Sequence, residues 1–438
     1  MTAQSFAYAI DRAANHKLES PAARFITNPD GVNIVGANAV NQGFGKHVRG
    51  VKVRGNRLII HLVRPFGAFL SIISMPFFQA TSTKLPLTHE VTKPYPSAGP
   101  YFYSRYHANV LTSLRRNPFW KRGPGRMRPR NLTGVDVLWN QYENTLLDAV
   151  QAGQLDEDPY LYLPPAELQA LADEYGVNKT RFWAEPNGCI GYLPMNMANH
   201  LFKNNLPLRQ AINYAIDRKA YIAAAGPYAG SPWTHILNPG VPGWRDVTLY
   251  RHNLAKAKQL AAGHLRDGKI VVAYRSSGSV NPDQAALVRQ ELIDLGFESS
   301  KIEMRGFSGS GWVFPMSIRG NDIDLAVSTG WCSDYPDPYD WINVLFDGNF
   351  IQADNNVNYP YMDLPKWNRR MEAAAKLVGP KRFRVYGQLD LDLMREVAPV
   401  AVERTYNNTY FFSGRVNPKS LVYQGIYSDW DIPALALR

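Results

Sequence analysis

Apolar positions recur at helical spacing from the start of the chain. Between Ala3 and Ala14, Phe6, Ile10 and Ala13 fall at i, i+4 and i+7, with Thr2 ahead of them as a candidate cap, and this predicts an amphipathic helix. Period-two alternation then takes over. Val51 and Val53 flank Lys52, Arg54-Gly55-Asn56 reads as a turn, and Leu58 to Val63 returns, which predicts a hairpin. Ser97-Ala98-Gly99-Pro100 breaks the chain. Strand patterns follow at Tyr101 to Tyr106, Ala108 to Arg115 and Gly134 to Trp139, with helices at Tyr142 to Ala152 and Pro165 to Tyr175.

From about residue 190 the pattern alternates between the two periods. Leu208 to Ala225 reads as one amphipathic helix stopped by Gly226, and Asn253 caps a helix running to Ala262. Lys269 to Tyr274 is a short apolar strand, and Pro282 to Leu295 is a helix with proline in its first turn. Lys301 to Met304 and Asp324 to Thr329 are further strands. Tyr339 to Phe346, Pro365 to Val378 and Arg382 to Val397 are helices, with Pro380 separating the last two. This order predicts an α/β fold with helices on the faces of a sheet.

Length changes the picture first: 438 residues imply more than one small domain. The chain carries 10 Trp, 24 Tyr and 19 Phe, enough for a large core and for aromatic residues lining a cleft. The net charge of +11 raises nucleic acid or an anionic membrane as partners. The densest basic stretch, Lys121 to Arg130, is broken by Gly and Pro and has no accompanying recognition motif, so it reads as an exposed loop and no nucleic-acid partner is expected. No segment is long and apolar enough to span a bilayer. Only Cys189 and Cys332 are present, which excludes a disulfide framework and a CxxC site. A single bridge stays open, since connectivity depends on geometry; two buried thiols are the preferred reading.

Catalytic signatures are missing. The nine His are scattered without metal-ligand spacing, Gly306 to Gly311 misses the spacing of a nucleophile elbow, and Gly43-Phe44-Gly45 lacks the context of a phosphate loop. No catalytic residue, metal or cofactor is expected. Of the carboxylate pairs, Asp390 and Asp392 point to different faces of a helix, while Asp334 and Asp337 flank Pro336 in a rigid turn. That turn, Asp334-Tyr335-Pro336-Asp337-Pro338, follows an apolar strand ending at Gly330-Trp331, where ligands of open α/β domains bind. A carboxylate held there beside Trp331 and Tyr335 suits a cationic group such as an α-amino group. Helix capping is the rival role, and it suits Asp337 better than Asp334.

Several segments resemble, in order, motifs of the family 5 extracellular solute-binding proteins, the dipeptide, oligopeptide and nickel type. They are Thr2 to Arg12, Arg64-Pro65-Phe66-Gly67, Ser97-Ala98-Gly99-Pro100-Tyr101, Asn117-Pro118-Phe119-Trp120, Gln151 to Asp156, Leu208 to Arg218, and Gly330 to Pro338. The resemblance implies an α/β, two-lobed periplasmic-binding-protein-like (type II) fold with a hinge, crossed near Tyr192 to Asn196 and Pro399 to Tyr406. It implies a remnant of the accessory part of the first lobe at 1–95, the first lobe at 96–191, the second at 192–402 and a return to the first at 403–438. The first lobe is expected to lack its N-terminal part, which would carry the export signal. Asp334 is implied to hold the ligand amino terminus and Arg275 its carboxylate, with aromatic contacts from Trp331, Tyr335, Trp312 and Tyr192. The implied function is non-catalytic peptide capture by a monomer, periplasmic or extracellular and membrane-anchored when intact, for an ABC permease and ATPase. Nickel chelates, oligosaccharides and opines are alternative solutes, and a carboxylate-dependent hydrolase is a remote one.

Overall fold

The structure is a computed structural model, and it describes all residues except 29–30, 122–130, 141–142, 159–162, 164, 279 and 426–427. The basic loop read from Lys121 to Arg130 therefore lies almost wholly outside the described residues.

Two sheets organise the part of the molecule that matters for function. The first is parallel: Ile302–Phe307, Ile270–Arg275 and Leu325–Val327 lie side by side in that order. Its helices include Val280–Leu295 and Leu254–Ala261, the latter capped as expected by Asn253, whose side chain accepts from the Lys256 N–H. The second is antiparallel and is built on two 13-residue strands, Phe182–Pro194 and Val400–Phe412. Val400 faces Pro194 and Val402 faces Tyr192, so the two long segments run together where one hydrophobic cluster gives way to another. Ile190, Tyr192, Val400 and Val402 belong to the cluster that gathers the N-terminal helices with Tyr339–Phe346, Pro365–Ala375 and Gly379–Glu396. Leu193, Met195 and Ala401 belong to the cluster around the parallel sheet. Alternation along a strand sends neighbouring side chains to opposite faces, so one pair of strands serves both cores.

Helices read from periodicity hold closely, with Ala3–Ala14, Pro165–Tyr175 and Tyr339–Phe346 spanning their expected limits. Thr2 makes no side-chain cap bond to the first of them. The stretch from Leu208 to Ala225 is not one helix. It divides into Leu206–Ala215 and Arg218–Ala224, because the Asp217 side chain accepts from the Lys219 and Ala220 N–H groups and starts a new helix. Pro380 sits in the first turn of Gly379–Glu396 rather than between helices. The strand expected over Asp324 to Thr329 also divides. Ser328 takes φ +66°, and the chain leaves the parallel sheet at Val327 to enter the antiparallel one as Thr329–Cys332.

The preference for two free thiols is overturned. Thr329–Cys332 pairs antiparallel with Phe182–Pro194 so that Cys332 stands opposite Cys189, and the two form a disulfide. The bond closes a loop of 143 residues. Replacing both cysteines with serine is expected to lower unfolding stability by about 2–4 kcal/mol through the larger entropy of the opened unfolded chain. Denaturant midpoints of the two proteins measure it, and equal midpoints would remove the bridge from the list of stabilising features.

Candidate functional site

The turn after Trp331 is locked by groups distant in sequence. Asp337 is buried and receives both ends of the Arg382 guanidinium, at 2.5 and 2.6 Å. Its Oδ1 also accepts from the Tyr339 N–H at 2.9 Å, so it supports the start of Tyr339–Phe346. The structural role expected for Asp337 is therefore present, with a buried ion pair added to it. The Trp341 indole donates to Ser333 Oγ at 3.1 Å, and the Asp334 N–H donates to Asp340 Oδ2 at 2.7 Å. From the other side, Phe25 meets Tyr335 edge-on, Phe66 meets Tyr339 with centroids 4.8 Å apart, and Ser71 donates to the Pro336 carbonyl. The N-terminal segment thus buttresses the turn.

What the lock leaves accessible is Asp334. Its side chain is 35% exposed, and among the described residues it forms an ion pair with Arg24, 3.3 Å away and itself 63% exposed. Burial raises the Asp334 carboxyl above the usual carboxylate range while Arg24 pulls it down. Asp340 beneath it is fully buried, and burial followed by the nearby Asp334 charge drives it far upward. Both neighbouring carboxyl groups are pushed upward, Asp340 much further, and Asp334 is the one that is partly exposed and paired with a cation.

The other residues singled out from the sequence fall into two groups. Trp331 is half-buried and packs on the cluster that contains Tyr192 and Tyr335, both only 1% exposed; Trp331 stands opposite Ile190, and Thr329 opposite Tyr192. These lie with Asp334 around the antiparallel sheet. Arg275 ends its strand exposed, its Nε donating to Ser277 Oγ at 3.0 Å. Trp312 is buried with Ala273, Met316, Ile323 and Ala326. This second group belongs to the parallel sheet, and the run Leu325 to Cys332 links the two. Arg24 and Asp340 were not legible as parts of the site, for Arg24 lies 310 residues from its partner. Among the described residues no group of three or more His, Cys, Asp or Glu side chains could hold a metal, and no helix is long and apolar enough to cross a membrane.

The sequence and the fold that hold this turn have counterparts elsewhere. Residues 1–352 match the description of bacterial extracellular solute-binding proteins, family 5 middle region. The chain belongs to this family. Family membership brings similarity to proteins named for several ligands. The chain is 24% identical over 306 residues to di/tripeptide-binding protein 1 of Pseudomonas aeruginosa, covering 66% of this chain and 53% of that one. It is 26% identical over 326 residues to heme-binding protein A of Haemophilus influenzae, covering 70% and 56%. The chain thus spans a little over half the length of these relatives. Among solved structures, it matches clavulanic acid biosynthesis oligopeptide binding protein 2 with a TM-score of 0.83 at 20% identity, over 100% of this chain and 80% of that one. It matches Haemophilus influenzae OppA, solved with the peptide RPPGFSPFR, with a TM-score of 0.68 at 16% identity, over 100% and 84%. The fold is accordingly the two-lobed periplasmic-binding fold, and the family consists of binding proteins rather than enzymes.

Proposed function

We propose that this protein captures di- or oligopeptides in a cleft between its two lobes and presents them to an ABC permease and its ATPase. The observation that carries the reading is Asp334: a half-buried carboxylate on a locked turn, whose ion-pair partner among the described residues is a solvent-exposed arginine that an incoming ammonium group can displace. The relatives named for di- and tripeptides and the neighbours named for oligopeptides support it. In this reading Arg275 meets the ligand carboxylate, and Trp331, with Tyr335 and Tyr192 behind it, shapes the pocket together with Trp312 on the parallel-sheet side. The role is non-catalytic. A monomer outside the cytoplasm, anchored to the membrane surface, closes on its ligand, and the closed form is what the permease recognises.

The test is ligand-induced stabilisation. A mixture of tripeptides, glutathione and haem are each added to the protein and Tm is followed. A ligand that binds only the folded state, present at 100 times its Kd, stabilises by about 2.7 kcal/mol, which raises Tm by a few degrees. Tripeptides are expected to produce the shift. A shift with haem alone, or with none of the probes, would sink the peptide reading.

A further inference from the structure

The strands that carry the site also hold a second polar cluster, which the reading above does not use. The register between Val400–Phe412 and Phe182–Pro194 slips, so that Val402 faces Tyr192 and Arg404 faces Gly191. Glu403 is the residue left over, and its side chain turns onto the sheet face beside Gly191. On the next strand Gly330 stands opposite Gly191. Two adjoining glycines leave a strip of the sheet without side chains. A methyl group at Gly191 would overlap Glu403 Oε1 and come within 2.8 Å of the Tyr406 hydroxyl, and one at Gly330 would come within 2.6 Å of the Ile190 carbonyl and 3.6 Å of the Tyr406 ring. The glycines make the space, and a carboxylate and a phenol lie in it.

Glu403 is fully buried, yet neither of its oxygens accepts a hydrogen bond from any described residue. Arg404 Nε stands 3.7 Å from Oε1, an ion-pair distance too long for a hydrogen bond. The Arg404 guanidinium stacks over the Tyr406 ring at 4.2 Å, with Tyr221 at 5.6 Å. Arg218, the other nearby cation, donates through Nε and Nη1 to the carbonyls of Val402, Asn213 and Tyr250, and its Nη2 has no partner among the described residues. Ser328, where the chain changes sheets, completes the surroundings beside Tyr221. A buried carboxylate without donors is costly, and structural ion pairs are normally hydrogen-bonded to completion. Burial pushes Glu403 up to about 7, against the pull of Arg404 and Arg218. The open valences are acceptors on Val400–Phe412, and Phe182–Pro194 lies between them and Thr329–Cys332, the strand that carries Trp331 and leads to Asp334.

Building on peptide capture, we propose that Glu403 is a specificity-determining residue whose unpartnered oxygens accept the ammonium or guanidinium group of a basic ligand side chain reaching the sheet beside Gly191 and Gly330. Asp334 then takes the amino terminus and Glu403 a side-chain cation. Arg404 and Tyr406 position the carboxylate.

Calorimetric titration of the protein with Ala-Lys-Ala, Ala-Leu-Ala and Ala-Glu-Ala tests this. The lysine peptide is expected to bind about tenfold more tightly than the leucine peptide, with the glutamate peptide weakest. In Glu403→Gln the lysine-to-leucine ratio falls to within about twofold, while the leucine peptide keeps its affinity to within about threefold. A second readout needs no variant. Near pH 7 binding of the lysine peptide is expected to release protons from Glu403, seen as a dependence of the heat on buffer ionisation, and the leucine peptide releases none. An unchanged ratio in Glu403→Gln, or equal losses for all three peptides, overturns the assignment. Peptide binding without a lysine preference overturns it and leaves peptide capture standing. Binding of no peptide overturns both.

Discussion

Replacing Arg382 with methionine is expected to lower unfolding stability by about 3–5 kcal/mol. Arg382 and Asp337 are 1% and 2% exposed and meet through two short hydrogen bonds. Methionine keeps most of the side-chain volume against Tyr386 and Gly67 but leaves the Asp337 carboxylate in the core without its cation. The penalty is that of an uncompensated buried charge rather than the net worth of the pair, which is small when both partners are replaced together. Asp337→Asn combined with Arg382→Met is therefore expected to recover most of the loss, since asparagine still offers an oxygen to the Tyr339 N–H. Denaturant unfolding of the two proteins decides it. A single-variant loss below about 1 kcal/mol would mean the turn is held by its aromatic packing instead.

That ion pair marks how far the sequence could be read. Asp337 was legible as structural because an aspartate directly before an apolar helical run has a local job, the N–H groups of the first turn. Its cation was not legible, because Arg382 sits 45 residues later on a helix whose packing no periodicity reveals. The same division runs through the fold. Helices such as Ala3–Ala14 announce themselves within a few turns. The strands Phe182–Pro194 and Val400–Phe412, which carry the molecule's main sheet, did not, because Glu185, Asn187, Glu403, Arg404 and Asn407 interrupt the alternation that a half-buried strand would show. Glu403 was itself a signal: a charge inside Ala401-Val402-Glu403-Arg404 has to be explained once that stretch is a buried strand. The disulfide was out of reach for a different reason, since nothing in two isolated cysteines 143 residues apart states that their strands are neighbours.

Asp334→Asn is expected to leave the fold intact and weaken tripeptide binding by about 2–4 kcal/mol, roughly 30- to 1000-fold in Kd. Stability should barely change. The Asp334 backbone N–H, not its side chain, makes the bond to Asp340, and the side chain's contact with Arg24 is exposed on the arginine side. What disappears is the anion that an ammonium group would meet in a partly dry setting, where charge-assisted hydrogen bonds are about twice as strong as neutral ones. The comparison that isolates this contact uses an N-acetylated version of the same tripeptide. Acetylation removes the cation, so the acetylated peptide should bind wild type and Asp334→Asn with the same low affinity, and the two losses should not add. Arg24→Ala supplies the opposite sign: with its competitor gone, the Asp334 carboxylate is open to the ligand and the free tripeptide should bind more tightly, most clearly at low salt. If the acetylated peptide binds wild type as tightly as the free one, the amino terminus lies elsewhere in the cleft, and the carboxylate on this locked turn serves another part of the ligand.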